Sequence, residues 1–121
     1  MAKKILVVDD EKQIVGSIRN ALELRFMVEV ESATDGEEAL ERIRESANPF
    51  SLVITDYNMP KMNGLELVDI VQKEYPKIPF ILMTASVDST FKSWMKENNI
   101  IEFIDKPFDI KTLYETIEKK L

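Results

Sequence analysis

One pattern constrains this chain more than any other. Short apolar, β-branched runs are separated by longer stretches whose apolar residues recur every three or four positions. The runs at 5–8, 28–32, 52–55, 80–84 and 101–104 predict strands. The stretches at 13–25, 37–45, 64–73, 89–97 and 110–120 predict helices. In the last of these, Ile110, Leu113, Ile117 and Leu121 share a face, as Ile14, Ile18, Ala21 and Leu22 do in the first. Asp35 stands at an N-cap position with Glu38 three residues on, the spacing of a capping box. Pro76 and Pro79 bracket the break before the fourth strand. Five strands alternating with five helices predict an α/β domain with a parallel sheet covered on both faces. Ile5-Leu6-Val7-Val8 and Leu52-Val53-Ile54 are apolar without alternation, as strands buried from both sides must be. The 121 residues suffice for one such domain, spanning 1–121, and show no linker, repeat or low-complexity tract.

Composition then removes whole classes of chemistry. Without cysteine there is no disulfide, zinc-thiolate site or thiol nucleophile. Without histidine there is no His-ligated metal, no Ser-His catalysis and no phosphohistidine on the chain itself. A formal charge of −6 argues against a nucleic-acid surface, which is built from clustered Lys and Arg. The apolar run after Lys3-Lys4 is stopped at once by Asp9-Asp10. It is too short for a signal peptide or a membrane span, so the expected location is cytoplasmic, with no membrane partner.

Right-handed crossovers bring the C-terminal ends of all five strands to one edge of the sheet. Ligands of such sheets bind at that edge, where the strand order reverses. Asp9 and Asp10 follow the first strand, Asp56 follows the third, Thr84 ends the fourth, and Lys106-Pro107 lies just past the fifth. Each alone has an ordinary reading: a helix cap, a β-former, a solvated charge. Their convergence does not. Carboxylates at close range raise one another's pKa, and a hard divalent cation relieves the repulsion. An all-oxygen shell suits magnesium or manganese, and an incomplete cage leaves room for a phosphoryl group. A carboxylate can be the nucleophile in that chemistry, giving an aspartyl-phosphate. Lys106 would then face one phosphoryl oxygen as a point charge, with the Thr84 hydroxyl donating to another.

In the order Asp9-Asp10, Asp56, Thr84-Ala85, Lys106-Pro107-Phe108, with the loop Met59-Pro60-Lys61-Met62-Asn63-Gly64, the chain resembles the response-regulator receiver family of two-component signalling. The resemblance runs the whole length. It implies a flavodoxin-like fold with strand order 2-1-3-4-5. It implies phosphorylation of Asp56 from a phosphohistidine of a partner histidine kinase or phosphotransfer protein. Magnesium would be held by Asp10, Asp56 and the backbone carbonyl of Asn58, with Asp9 acting through water. Thr84 and Phe103 would form a switch, the Phe103 ring passing from exposed to buried, that acts on the surface of the fourth helix, fifth strand and fifth helix, where a downstream effector or a second copy would dock. Asn58 and Ser86 occupy the positions that tune water access; both are uncharged, which implies a phosphoryl group lost fairly quickly. The module would catalyse only its own phosphorylation and dephosphorylation. Two departures stand out: Asn99-Ile100 replaces the usual Gly-Ala, and Phe103 lacks a phenolic hydroxyl.

Four other readings compete. A phosphatase of the haloacid dehalogenase class resembles Asp-x-Asp-x-Thr, but Asn58 stands where its general acid belongs. A calcium loop would open at Asp56-x-Asn58 but needs Gly at Lys61 and Glu at Leu67. Three glycines draw no nucleotide-binding loop. A degenerate receiver that binds partners without phosphorylation is disfavoured, because every acidic and cationic site position is filled.

Overall fold

The computed structural model describes residues 3–85 and 102–121. Strands β1 (Lys3–Val8), β2 (Val28–Ala33), β3 (Leu52–Asp56), β4 (Phe80–Thr84) and β5 (Glu102–Asp105) form one parallel sheet in the order β2-β1-β3-β4-β5. Around it lie α1 (Lys12–Arg25), α2 (Gly36–Glu45), α3 (Gly64–Glu74) and a C-terminal helix (Ile110–Glu118). The helix predicted at 89–97 falls outside the described residues, as do Ser86 and Asn99-Ile100. Order and direction of the strands are those expected of a flavodoxin-like fold.

The unalternating strands are explained by two cores, one on each face of the sheet. Successive side chains point to opposite faces. Leu6, Val8, Val53 and Leu82 meet Ala39, Leu40 and Ile43 of α2 and Leu67, Val68 and Val71 of α3. Ile5, Val7, Ile54, Ile81, Met83 and Ile104 meet Ile18, Ala21 and Leu22 of α1 and Leu113 and Ile117 of the C-terminal helix. Each fully buried aliphatic side chain contributes about 1.5–3 kcal/mol, so a polar residue anywhere in these strands needs a reason to be there. Ile110 departs from the predicted apolar face and is 49% exposed. It is the first helical residue, one turn ahead of Leu113, where the helix first meets the sheet.

Boundaries differ from expectation mainly at strand ends. Lys3 and Lys4 extend β1 because they pair with Val28 and Glu29, and β5 is described as Glu102–Asp105, the predicted start at 101 lying outside the described residues. The Asp35 cap forms, its carboxylate accepting from the Glu38 N–H at 2.8 Å. The capping box does not close as predicted: the Glu38 carboxylate accepts instead from the Thr34 N–H at 3.2 Å, one residue further back. A complete box forms elsewhere, between Asn63 and Glu66 at the start of α3.

Candidate functional site

The sheet register builds the site. Val8 lies beside Thr55 on neighbouring central strands, so the next residues, Asp9 and Asp56, emerge together at the C-terminal edge. Both are buried, at 1% and 7% exposure, while Asp10 faces solvent. One carboxylate oxygen from each of Asp9, Asp10 and Asp56 lies within 4.8 Å of the others. Lys106 follows β5 directly, its backbone N–H donating to the Thr84 carbonyl at 2.7 Å. From there its ammonium reaches Asp9 Oδ2 at 3.1 Å and Asp56 Oδ1 at 3.2 Å. The Lys106–Pro107 peptide is cis.

Charge in this pocket is unbalanced. Burial pushes the Asp56 carboxyl above its ordinary range and the charge of Asp9 adds to this; Lys106 and the backbone N–H of Asn58 pull against it without prevailing. Burial would lower the Lys106 ammonium, but its hydrogen bond to Asp9 and the charges of Asp9 and Asp56 outweigh that, and its pKa rises. One ammonium thus bridges two carboxyl groups, with a third, Asp10, close beside them. The donor set is entirely oxygen and close enough to converge, which fits a hard divalent cation. Asp9 already has both oxygens engaged, Oδ1 by the Glu11 N–H at 2.9 Å and Oδ2 by Lys106.

The remaining predicted residues lie near the same edge. Thr84 is buried at the end of β4, adjoining Asp105 in register. Asn58 is exposed in the loop after Asp56, with its backbone N–H turned to the Asp56 carboxylate. Phe103 is not the exposed ring expected of an unswitched state. It is half-buried beside Leu82 and packs against the α2–α3 core, because that face of β5 is the one β4 presents with Leu82. Ser86 lies outside the described residues. The calcium reading ends here, since Leu67 is wholly buried in the core and faces no loop.

Two contributors were not foreseen. The Glu11 N–H engages Asp9, a backbone contact that no residue pattern announces. Gly64 packs against the Asp56 backbone, with Tyr57 and Leu82 also close by. Its signal was present: Asn63 followed by Glu66 three residues later is a capping-box spacing that starts a helix at Gly64.

Comparison with known proteins places this geometry in context. The chain is 34% identical to the chemotaxis protein CheY1 of Helicobacter pylori, over 95% of this chain and 94% of that protein. It is 36% identical to the transcriptional regulatory protein PhoP of Bacillus subtilis, over 89% of this chain. It spans only 44% of PhoP, and 24% of the response regulator FleR of Pseudomonas aeruginosa, to which it is 33% identical. The chemotaxis protein CheY4 of Vibrio cholerae superposes with a TM-score of 0.90 at 32% identity, each chain covered completely. A CheY-like receiver domain protein of Methanospirillum hungatei superposes equally well at 30% identity, over 99% of this chain and 94% of that one. The model of the response regulator receiver domain matches residues 5–118, which establishes that the chain belongs to that family.

Proposed function

We propose that the chain accepts a phosphoryl group on Asp56 from the phosphohistidine of a partner histidine kinase or phosphotransfer protein. The observation that carries this reading is the Lys106 ammonium bridging Asp9 and Asp56 beside a third carboxylate, Asp10. An Asp56 oxygen attacks phosphorus, the P–N bond to the donor imidazole breaks, and the imidazole leaves with a proton from solvent. Lys106, already 3.2 Å from Asp56, neutralises charge gathering on a phosphoryl oxygen. The Thr84 hydroxyl donates to another of those oxygens. Asp10, Asp56 and the Asn58 carbonyl would hold magnesium, and Asp9, both of whose oxygens have partners, would act through water. When bound, the metal supplies positive charge to the phosphoryl oxygens and relieves the repulsion among the carboxylates.

As a receiver domain the chain is a signalling module, and its chemistry is confined to its own phosphorylation and dephosphorylation. Asn58 and Ser86, both uncharged at the positions that tune water access, support a phosphoryl group lost fairly quickly by hydrolysis. The signal leaves through the surface of the helix predicted at 89–97, β5 and the C-terminal helix, as Thr84 moves toward the phosphoryl group and Phe103 goes from half-buried to buried. A downstream effector or a second copy of the chain docks there. No helix among the described residues is long and apolar enough to cross a membrane, which fits a cytoplasmic module.

The test is incubation with a small acyl-phosphate and magnesium, followed by intact mass measurement. One phosphoryl adduct is expected on the parent and none on Asp56→Asn. An adduct that persists in that variant rules out Asp56 as the acceptor.

A further inference from the structure

The peptide that follows the phosphoacceptor is held from several directions. The Tyr57 N–H donates to the Met83 carbonyl of β4 at 2.8 Å, and the Thr55 hydroxyl donates to the Asp56 carbonyl at 3.1 Å. The Tyr57 carbonyl accepts from the Gly64 N–H at 2.8 Å. Gly64 is therefore both the first residue of α3 and a clamp on the end of β3. Its approach is possible only without a side chain. A Cβ at this position would stand 2.6 Å from the Asp56 carbonyl oxygen, 2.8 Å from Leu82 Cδ2 and 3.1 Å from Tyr57 Cα. Two of these three neighbours are backbone, which cannot swing aside as a flexible side chain would.

The helix behind Gly64 is firmly placed. Leu67, Val68 and Val71 of α3 are wholly buried. Its first turn is closed by Asn63, which accepts from the Glu66 N–H at 2.9 Å, while the Glu66 carboxylate accepts from the Asn63 N–H at 3.2 Å. Of the two bodies in contact, the helix is anchored by three core side chains and a cap. The 56–57 peptide lies at the end of its strand, where the bond from the Tyr57 N–H to the Met83 carbonyl is its tie to the neighbouring strand. Added bulk at position 64 is relieved by moving that peptide by several tenths of an ångström, and with it the Asp56 carboxylate one residue back.

We propose that Gly64, locked by the Asn63–Glu66 capping box, is a positioning residue for phosphoryl transfer: it sets where the Asp56 carboxylate stands relative to Lys106 and Asp9. This rests on the reading of Asp56 as phosphoacceptor. Transfer demands alignment of the attacking oxygen, and misplacement on the ångström scale costs up to about a hundredfold in rate.

Gly64→Ala should slow acyl-phosphate-dependent phosphorylation about tenfold to a hundredfold at saturating magnesium, well below its melting temperature. Val71→Ala, which removes core packing from α3 without touching the loop, serves as the stability control and should leave the rate within about twofold. Equal rate losses in both variants, or none in Gly64→Ala, overturn the proposal. A crystal structure of Gly64→Ala supplies a readout independent of phosphorylation. The Asp56 peptide and carboxylate should be displaced from Lys106; an unmoved Asp56 with a shifted α3 overturns the proposal. Should Gly64→Ala fail to fold, Asn63→Ala keeps the glycine and loosens the cap. It should slow phosphorylation by a smaller factor, and an unchanged rate there also refutes the role. If the parent chain itself takes no phosphoryl group, the reading of Asp56 as acceptor fails, and the crystallographic comparison still decides whether Gly64 sets its position.

Discussion

Two clusters of charge on this sheet obey opposite rules. Between β1, β2 and α2, signs alternate. Lys4 lies 3.5 Å from Glu31, Glu31 lies 3.6 Å from Arg42, and Arg42 lies 3.7 Å from Glu38. Lys4 also donates to the Ser46 hydroxyl and stands over the Phe50 ring at 4.6 Å. Every cation there has an anion. At the C-terminal edge, Asp9 and Asp56 share Lys106, with the Asp10 carboxylate beside them and no other ion pair to these three among the described residues. The first cluster closes over the core and asks for nothing further. The second holds two buried carboxyl groups in a pocket whose charge does not sum to zero, which costs stability. Perturbed groups arranged in this way gather where a protein binds or transforms something.

The largest expected effect breaks the second cluster at its cation. Lys106→Met leaves Asp9 and Asp56 buried without a counter-charge and should cost roughly 3 kcal/mol in urea unfolding at neutral pH. The loss should shrink as the pH falls and the carboxyl groups protonate. A variant as stable as the parent would mean that Lys106 is not what permits those carboxylates to be buried.

Magnesium should act in the opposite direction. It stabilises by mass action, about 1.4 kcal/mol at ten times its dissociation constant. Thermal melts of the parent should rise with magnesium concentration, while those of Asp10→Ala should hardly move. Calorimetry on the same pair checks the affinity directly, and equal affinity in both would remove Asp10 from the site.

A smaller effect separates the clusters by pH. The Asp56 carboxyl is pushed up by burial, so its folded pKa lies above its unfolded one. Its contribution is favourable below the unfolded pKa and is lost as pH rises through the folded pKa. The metal-free parent should therefore lose stability relative to Asp56→Asn across that acidic-to-neutral window, and added magnesium should narrow the gap. Parallel stability–pH curves for the two proteins would show that Asp56 is not strained by its surroundings.

The smallest effect belongs to the balanced cluster. Glu31→Gln removes the anion shared by Lys4 and Arg42, whose groups are partly solvated. It should cost under about 1 kcal/mol, and the cost should fade in high salt. A loss rivalling that of Lys106→Met would erase the contrast between the two regions.

Much of this was readable beforehand, for identifiable reasons. Ile5-Leu6-Val7-Val8 announces a strand covered on both faces because no other local structure buries four consecutive apolar residues so economically. Crossover handedness then carries Asp9, Asp56 and Lys106 to one edge without further information. The prediction failed where the outcome depended on one residue of offset. Glu38 reaches Thr34 and not Asp35, and Ile110 heads its helix too early to meet the sheet. Phe103 was expected to be exposed; which face of β5 it occupies follows from pairing with Leu82, a long-range register that its own neighbours do not encode.

The amino-acid order alone determined the layering of the fold and the membership of the acidic edge. Both follow from periodicity and chain handedness, which are local properties repeated along the chain. Only the tertiary structure decided how the site is poised. That Asp9 spends both oxygens, on Glu11 and Lys106, and that Asp56 is raised by burial despite Lys106, depend on distances between segments far apart in sequence. So does the contact of Gly64 with the Asp56 carbonyl, across a loop whose closure Asn63 and Glu66 secure. Electrostatic and steric energies change steeply over fractions of an ångström, and residue spacing along a chain does not specify separations that fine.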